Sequence, residues 1–515
     1  MMEAQNTPKM RVNCKPCRED RHDECNDQNC LCAVETYHNT KGKIGWKEEE
    51  PTLQEVEDYN ATTNNIPEPE MKKLRELLKI KHDDPDRIDN VAEQLIKKYE
   101  FVTVRETDEI YYYNGKIYDS KNAKSIIKEE TEQLIKECTS ADRKEVVEKI
   151  KSQTYKEIAA FDNDPNLITI ENGIYNISSM ELTPHTPTNL SKVLIPCSYI
   201  ENITDISETL FWEYLISTCT INDKLDENML DDILELMAAC FIKTKIDEKS
   251  WILQGSGDNG KSVVLLLLNS MLGKDNVSNI ALQDLVSNPF AAARLDGKLA
   301  NIYTDLKSTA LKNEEKIKNL SSGEPMHVEH KYKDGFDMVT YANLIFSCNQ
   351  FPRVYDQSDG FFRRWIIIVF KRKFALGDPN RDENLKLKLI TNQDEKNLVF
   401  SFLMNIAQAL LHKGKFRYPY GHKEIRDFWN ANANPLDRFI EECIIDKEGS
   451  RKSKRETYKF YERWCWDNGI KPLGKGQFGK EFGIDFEDLR DGRWYWLDID
   501  FKVPTQETLN EVDEQ

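Results

Sequence analysis

Residues Trp251 to Gly273 read WILQGSGDNGKSVVLLLLNSMLG, and this stretch decides the fold around which the 515-residue chain is organised. The apolar run at its start, Trp251–Leu253, is short enough for a buried strand. The residues after Ser262 follow an apolar helical pattern, and Gly273 stands where a helix would end. Between strand and helix lies GSGDNGKS, a complete G-x-x-x-x-G-K-[ST] string. The stretch therefore predicts an α/β unit in which a glycine-rich loop joins a strand to a helix.

This loop has the chemistry of a phosphate cradle. Its glycines let backbone N–H groups curl round phosphate oxygens, and the helix N-terminus adds positive potential. We expect Lys261 to reach the β and γ phosphates of a nucleoside triphosphate, and the Ser262 hydroxyl to bind Mg²⁺. The residues predicted to contact ATP are Gly255, Ser256, Gly257, Asp258, Asn259, Gly260, Lys261 and Ser262.

Composition and charge limit the classes of protein that this chain can belong to. A hydrophobic content of 39% and a charged content of 31% are typical of a soluble folded chain. No apolar run is long enough to cross a membrane, and the first residues lack the apolar core of a secretory signal, so we expect a cytoplasmic protein with reduced cysteines and no membrane partner. The net charge of -18 argues against a surface that binds nucleic acid all over, but allows a local basic patch.

The N-terminal residues 1–40 carry a dense group of cysteines. Five of the 12 cysteines lie in CKPCREDRHDECNDQNCLC, and a C-x-x-C pair followed by closely spaced Cys and His is typical of a tetrahedral zinc site. We predict a zinc knuckle in which Cys14 and Cys17 are two of the four ligands. The other two come from His22, Cys25, Cys30 and Cys32. A redox-active thiol cluster and a disulfide framework are the alternatives, and the odd number of cysteines weakens the second.

The segments between the cysteines and the loop divide into three parts. Residues 41–68 are polar and irregular, which is typical of a linker. Residues 69–200 combine helical patterns with hairpins turned at Asn114-Gly115 and at Asn172-Gly173, which predicts an α+β region. Residues 201–247 are helical, with regularly spaced apolar packing positions.

Three strand-like runs downstream of the loop are flanked by polar residues, two at their ends and one at its start. The run GKLANIYT is followed by Asp305. An ATPase with such a loop needs an acidic residue to hold Mg²⁺ and polarise the attacking water. The alternative is an ordinary surface aspartate at the end of a strand. A second apolar run, ANLIFSC, ends in Asn349, and Arg363 and Arg364 precede a third run, WIII.

The order of these elements resembles that of the superfamily 3 helicases in the phage and plasmid primase-helicase family, which are relatives of the poxvirus primase-helicase. The phrase DPNLITIENGIYNISSMEL resembles the segment that precedes a helical collar in that family, here residues 201–247. The resemblance implies an AAA+-like ATPase core over residues 248–440. It also implies that Asn349 orients the attacking water, and that one arginine, Arg364 in preference to Arg363, acts as a finger on the nucleotide of a neighbouring subunit.

A basic hairpin is expected between Asp305 and Asn349, where the family has a hairpin that faces the central channel of a ring. Its tip combines cations for phosphate with an aromatic ring for stacking. The residues expected to contact single-stranded DNA are His330, Lys331, Tyr332 and Lys333. A solvated charged hairpin is the alternative.

Residues 441–505 resemble the winged-helix module that ends many members of the same family. The residues expected to meet duplex phosphates are Arg451, Lys452, Lys454 and Arg455, with Lys475 and Lys480 further along. A small packing or partner-binding domain is the alternative. Residues 506–515 form an acidic tail that we expect to be disordered.

Together these features predict an ATP-dependent DNA helicase of superfamily 3 in the replication of a virus, plasmid or integrated element. We expect a homo-oligomeric ring, a hexamer, because an arginine finger that acts in trans needs a neighbour. The region before the collar is shorter than the known primase domain, so any primase is expected to be a separate chain. Two alternatives remain open, a replication initiator whose ATPase switches assembly without unwinding, and an ATPase of another DNA process such as packaging.

Overall fold

The structure is a computed structural model that describes residues 79–502, apart from residues 308, 312–313, 330, 332–334, 379, 434 and 468–471. These residues form two compact units, one made of residues 79–114 and 119–158 and the other of residues 115–118 and 159–502. The predicted zinc segment, the linker 41–68 and the tail 506–515 lie outside the described residues.

The first unit is a small mixed domain. Its helices are α1 (Arg87–Tyr99), α2 (Ala123–Leu134) and α3 (Ser140–Thr154), and the strands in this part of the chain are β1 (Val102–Val104), β2 (Glu109–Tyr113), β3 (Tyr118–Asp119) and β4 (Tyr155–Lys156). Strand β1 pairs antiparallel with β2 and parallel with β4. The three helices bury Val91, Ile127 and Val146 in one core. Helix α3 begins with a capping box between Thr139 and Asp142, which satisfies N–H groups that a helix start leaves unpaired.

A four-stranded sheet and two helices open the second unit. The strands are β5 (Leu167–Ile170), β6 (Gly173–Asn176), β7 (Glu181–Thr183) and β8 (Leu194–Ile195), in the order β7-β6-β5-β8. The hairpin predicted at Asn172-Gly173 is confirmed, since β5 and β6 pair antiparallel across it. Helices α4 (Leu210–Cys219) and α5 (Glu227–Ala239) follow, joined by the short strands β9 (Thr220–Ile221) and β10 (Lys224–Leu225).

A five-stranded parallel sheet lies at the centre of the second unit. Its strands are β11 (Ser250–Gln254), β12 (Val277–Ser278), β13 (Ala300–Tyr303), β16 (Asn343–Cys348) and β17 (Trp365–Val369), in the order β12-β13-β16-β11-β17. Alternate side chains enter different cores, because successive strand residues point to opposite faces. Trp251 and Leu253 join one core with Leu403, whereas Ile252 joins the other with Trp429. A parallel sheet covered on both faces explains why its strands read as continuous apolar runs.

Helices and one hairpin connect and flank this sheet. They are α6 (Lys261–Leu272), α7 (Leu282–Ser287), α8 (Glu315–Ser322), the hairpin β14 (Met326–Glu329) and β15 (Gly335–Met338), α9 (Asp359–Phe362), α10 (Leu385–Thr391), α11 (Gln393–Lys413) and α12 (His422–Ala433). Within the part of the chain that the structure describes, every helix is too short or too polar to cross a bilayer.

The last part of the second unit has its own core. Its elements are α13 (Pro435–Cys443), β18 (Ile444–Ser453), α14 (Lys454–Asp467), α15 (Lys475–Asp485), β19 (Asp488–Asp491) and β20 (Arg493–Phe501). The strands form an antiparallel sheet in the order β18-β20-β19. Aromatic side chains fill the core between the helices and this sheet, among them Phe439, Tyr461, Phe478 and Trp496. The α/β character predicted from the sequence is confirmed for the described residues.

Candidate functional site

The G-x-x-x-x-G-K-S loop connects the carboxyl end of β11 to the start of α6. Three of its residues have positive φ, namely Gly257 at 104°, Asp258 at 49° and Gly260 at 88°. At Gly260 the positive φ favours glycine, and there is also no room for a side chain, because a Cβ there would lie 2.4 Å from the hydroxyl of Tyr214. That hydroxyl donates a 2.7 Å hydrogen bond to the Gly260 carbonyl. The loop therefore has a conformation that α4 helps to hold and that a larger residue would disturb.

The other side of the loop is anchored to the chain that leaves β17. Asn259 is 2% exposed, and its Nδ2 donates to the carbonyls of Phe370 and Arg372, each at 3.0 Å. The Phe374 N–H donates to the Asp258 carbonyl at 2.9 Å. The Asn259 Oδ1 is buried and accepts no hydrogen bond from a described residue. Asn259 thus has a structural role in fixing the loop, which the motif alone does not indicate.

Lys261 lies at the first turn of α6 and is 9% exposed. Its ammonium donates to the Gly255 carbonyl at 2.7 Å, and it forms no ion pair with any described residue. Burial lowers the pKa of Lys261, because the charged form loses hydration. Ser262 follows with an exposed side chain. A buried ammonium without an anion next to an open helix N-terminus is suited to an anionic ligand.

Asp305 and Asn349 follow neighbouring strands at the same edge of the sheet as the loop. Tyr303 of β13 is paired with Phe346 of β16, and Cys348 of β16 with Gln254 of β11. The carboxyl ends of these parallel strands therefore bring both residues beside the loop. Both side chains are exposed, and no described residue forms a hydrogen bond with the Asp305 carboxylate or the Asn349 side-chain amide.

A cavity of about 270 Å³ adjoins the loop on the α6 side. The residues that line it include Tyr214, Ser262, Phe374, Arg381 and Lys386. Arg381 donates to the Phe374 carbonyl at 2.9 Å, whereas the Lys386 side chain is exposed. The motif indicates Ser262, but no sequence pattern indicates the other four residues, because they come from α4, from the segment after β17 and from α10.

The two predicted arginines lie at the opposite, amino edge of the same sheet, directly before β17. Arg364 is buried, and it donates to the carbonyls of Lys318 at 3.2 Å and Gly360 at 2.5 Å. The Arg363 side chain is 59% exposed, and its contact is a 3.7 Å ion pair with Glu248. The preference for Arg364 as the finger is therefore not supported by its surroundings, because its guanidinium is already engaged within its own chain. Arg363 is the one available to another molecule.

The residues predicted to contact single-stranded DNA fall between β14 and β15 in the sequence. Strands β14 and β15 form the expected antiparallel hairpin. His330, Tyr332 and Lys333 lie outside the described residues, and Lys331 is exposed.

Half of the basic residues predicted to contact DNA in the C-terminal part have acidic partners. Arg451 pairs with Asp491 at 2.9 Å, Lys452 with Asp500 at 2.8 Å, and Lys454 with Asp488. Arg455 is exposed and forms no ion pair with a described residue. Three of the six predicted basic residues are therefore balanced locally, whereas Arg455, Lys475 and Lys480 form no ion pair with a described residue.

Metal ligands are a separate question. Among residues 79–502 that the structure describes, no group of three or more His, Cys, Asp or Glu side chains could hold a metal ion. The predicted zinc ligands, Cys14, Cys17, His22, Cys25, Cys30 and Cys32, precede the described residues, so the zinc site stays a prediction.

Family comparisons match three parts of the chain. A family described as "D5 N terminal like" matches residues 23–235, a family of unknown function (DUF5906) matches residues 253–364, and a family described as "Poxvirus D5 protein-like" matches residues 431–514. The second range contains Lys261, Asp305, Asn349 and both arginines. The resemblance to poxvirus-type relatives is thus supported at both ends of the chain.

Individual relatives are viral proteins named as helicases. A protein named as a putative helicase in Acanthamoeba polyphaga mimivirus is 25% identical over 241 residues, which cover 44% of this chain and 25% of that protein. One with the same description in Invertebrate iridescent virus 3 is 23% identical over 262 residues, which cover 48% of this chain and 27% of that protein. The chain therefore matches about a quarter of the length of these relatives.

Among solved structures, the apo structure of the NrS-1 C-terminal region (305-718) aligns with 81% of this chain and all of that one, at 14% identity and a TM-score of 0.41.

Proposed function

We propose that this chain is an ATP-driven helicase of superfamily 3 type that unwinds DNA during replication of a virus, plasmid or integrated element. One observation carries the proposal. The loop with the buried Lys261 and the ends of the two neighbouring strands, with Asp305 and Asn349, meet at one edge of a parallel sheet. The helicase names of the viral relatives agree with this reading.

The loop edge has the groups that a nucleoside triphosphate requires. The ammonium of Lys261 has one carbonyl partner, at Gly255, and can exchange it for phosphate oxygens. The backbone N–H groups at the start of α6 face the same region. The cavity of about 270 Å³ beside Ser262 adjoins the loop and is proposed to take part of the rest of the nucleotide.

Ser262 and Asp305 fit a magnesium ion, because hydroxyl and carboxylate oxygens are its preferred protein ligands and neither side chain is engaged by a described residue. Bound there, the ion would neutralise phosphate charge. Asp305 can also polarise the attacking water, and the Asn349 amide can orient it by hydrogen bonding. Proton removal from the attacking water is thus assigned to Asp305, and placement of that water to Asn349.

The arginines cannot serve the nucleotide of their own chain. Strand β17 has five residues, which at roughly 3.3 Å each separate the two edges of the sheet by roughly 15 Å. Arg363 would therefore act on a neighbouring copy, where a guanidinium neutralises charge in the transition state. We propose that this head-to-tail contact closes into a ring, a hexamer, rather than an open filament.

DNA contact is assigned to the hairpin β14–β15 and to the C-terminal part. The hairpin, with Lys331 at its tip, is proposed to hold single-stranded DNA inside the ring. The order helix, strand, helix, helix, strand, strand over residues 435–501 is that of a winged helix, with Arg455 and α15 available to a duplex. The predicted zinc knuckle near the N-terminus completes the proposal.

One experiment tests the central claim. ATP hydrolysis is measured with and without single-stranded DNA, and strand displacement on a forked duplex, for wild type, Lys261→Ala and the control Lys274→Ala. Lys274 is an exposed lysine just after α6. We expect DNA to stimulate hydrolysis, Lys261→Ala to abolish hydrolysis and displacement, and the control to retain both. Hydrolysis by assembled rings without stimulation or displacement would instead favour the assembly-switch alternative.

A further inference from the structure

A second cavity, of about 340 Å³, lies beside the edge strand β17. It is bounded by the start of α5, by residues 367–369 of β17, by residues 418 and 420 and by the first half of α12. Its lining contains none of the loop residues 255–262. Its volume is in the range of small-ligand sites. It therefore belongs to a different part of the fold from the proposed nucleotide site.

A buried carboxylate without a partner lines this cavity. Asp232 is 6% exposed, and no described residue donates a hydrogen bond to it or forms an ion pair with it. Two other carboxylates in the lining are occupied, since Asp226 accepts the Met229 N–H at 3.1 Å and Glu424 accepts the Gly421 N–H at 2.7 Å. An unpaired carboxylate in such a place is costly, because burial without a hydrogen bond removes its hydration.

The electrostatics of the cavity favour a cation. Burial, together with the neighbouring carboxylates, raises the pKa of Asp232 to about 7. The single ammonium in the lining, Lys371, is largely exposed and lies 3.8 Å from Asp226 rather than at Asp232. Among the lining residues, three carboxylates thus face one ammonium.

Aromatic and apolar side chains form the remaining walls. The rings of Tyr418 and Tyr420 meet at 68° with centroids 5.3 Å apart. The Tyr418 hydroxyl is already used, because it accepts the Ile367 N–H at 3.1 Å and donates to the Ile367 carbonyl at 3.3 Å. This tyrosine therefore offers its ring rather than its hydroxyl. Met229 and Phe428 complete an apolar surface.

We propose that this cavity binds the guanidinium group of an arginine or a similar ligand. Both oxygens of Asp232 are available for a bidentate pair, which matches the planar fork of a guanidinium. A guanidinium also stacks on tyrosine rings and is more weakly hydrated than an ammonium, so it enters an apolar cavity at lower cost. This proposed guanidinium site does not depend on the proposed nucleotide chemistry. A negative binding result here would therefore leave the proposed helicase function unchanged.

The test uses four probes and two matched variants of the full chain. Calorimetric titration compares N-acetyl-arginine methylamide with its lysine counterpart and with the neutral citrulline counterpart, which has nearly the shape of arginine without its charge. Butylguanidinium is the fourth probe and represents a free small molecule. Asp232→Asn removes the charge at constant size. Asp231→Asn is the control. The Asp231 carboxylate belongs to the residue just before Asp232, but it pairs with Arg417 and does not line the cavity.

We expect the arginine probe to bind wild type and Asp231→Asn, and to bind Asp232→Asn about tenfold or more weakly, because a buried charged pair loses its acceptor. Binding by both guanidinium probes would support an arginine side chain as the natural ligand. Binding by butylguanidinium alone would support a free small molecule. The proposal is overturned if neither guanidinium probe binds at millimolar concentration. It is equally overturned if the citrulline or lysine probe binds as well as arginine, or if Asp232→Asn binds like wild type.

Discussion

Arg363→Ala is expected to abolish ATP hydrolysis and leave the fold intact, whereas Arg364→Ala is expected to destabilise the protein. The Arg363 side chain is 59% exposed and 3.7 Å from Glu248, and an exposed pair of this kind contributes less than about 1 kcal/mol to folding. Removing Arg364 leaves the carbonyls of Lys318 and Gly360 without their donor, at about 1–3 kcal/mol each. The two variants should therefore differ clearly in melting temperature.

The effect of Arg363→Ala on catalysis should be large and should be rescued in trans. An arginine finger contributes about a thousandfold or more to the hydrolysis rate. Lys261→Ala removes the cation at the loop, so each variant alone should be nearly inactive. In rings mixed at random in equal amounts, about a quarter of the interfaces join an intact loop from one variant to an intact Arg363 from the other, because the contact is head-to-tail.

The assay is steady-state ATP hydrolysis on mixtures in which the ratio of the two variants is varied at constant total protein. We expect a maximum near equal amounts, at about a quarter of the wild-type rate if sites act independently. Arg364→Ala mixed with Lys261→Ala serves as the comparison. Both variants keep Arg363, so hydrolysis should fall in proportion to the share of Lys261→Ala and show no maximum near equal amounts. Mixed rings that stay as inactive as each variant alone would refute the assignment of Arg363 to a neighbouring site.

Three further outcomes follow from particular contacts. Gly260→Ala should lose nucleotide binding, measured with a fluorescent analogue, and Tyr214→Phe should restore part of it, because the tyrosine hydroxyl is the atom that a new Cβ would approach to 2.4 Å. Asp232 has its pKa raised from 3.8 to about 7, so the native state keeps a proton that the unfolded chain loses. Relative to Asp232→Asn, the wild-type free energy of unfolding should fall by about 2.5 kcal/mol between about pH 5 and about pH 8, and a pH-independent difference in urea unfolding would contradict this. Burial opposes ionisation of Asp142, but hydrogen bonds from Thr139 and its other donors lower its pKa to about 2. Asp142→Asn should therefore cost about 2 kcal/mol above about pH 4, and this cost should vanish as the pH falls toward about 2.

The elements around the loop could be predicted because their determinants are local. Trp251–Leu253 is apolar without interruption, since both faces of a parallel sheet are covered, and the glycine pattern fixes where the strand must end. The turn at Asn172-Gly173 is equally local, and β5 and β6 pair across it. Asp305 and Asn349 lie at one edge because each follows a strand of a parallel sheet, and the arginines lie at the opposite edge because they precede one.

The contacts that set the chemistry could not be predicted, because they join distant parts of the chain. Tyr214 reaches the Gly260 carbonyl across 46 residues, and Asn259 reaches Phe370 across 111. Which arginine is buried also depends on packing. Arg363 and Arg364 are adjacent in sequence, but the carbonyls that hold the second one come from α8 and from the start of α9.

The same limit explains why the basic residues of the C-terminal part looked more available than they are. Arg451 of β18 meets Asp491 of β19 across the intervening strand β20, 40 residues later in the chain, so no local pattern shows the pairing. Exposed pairs of this kind are worth less than about 1 kcal/mol, so a phosphate can displace the aspartate, but the freed carboxylate then stays next to the DNA. Phosphate contact through Arg451, Lys452 and Lys454 therefore gains little. For the proposed duplex contact, Arg455 and the exposed lysines of α15 should contribute more, because they have no acid to release.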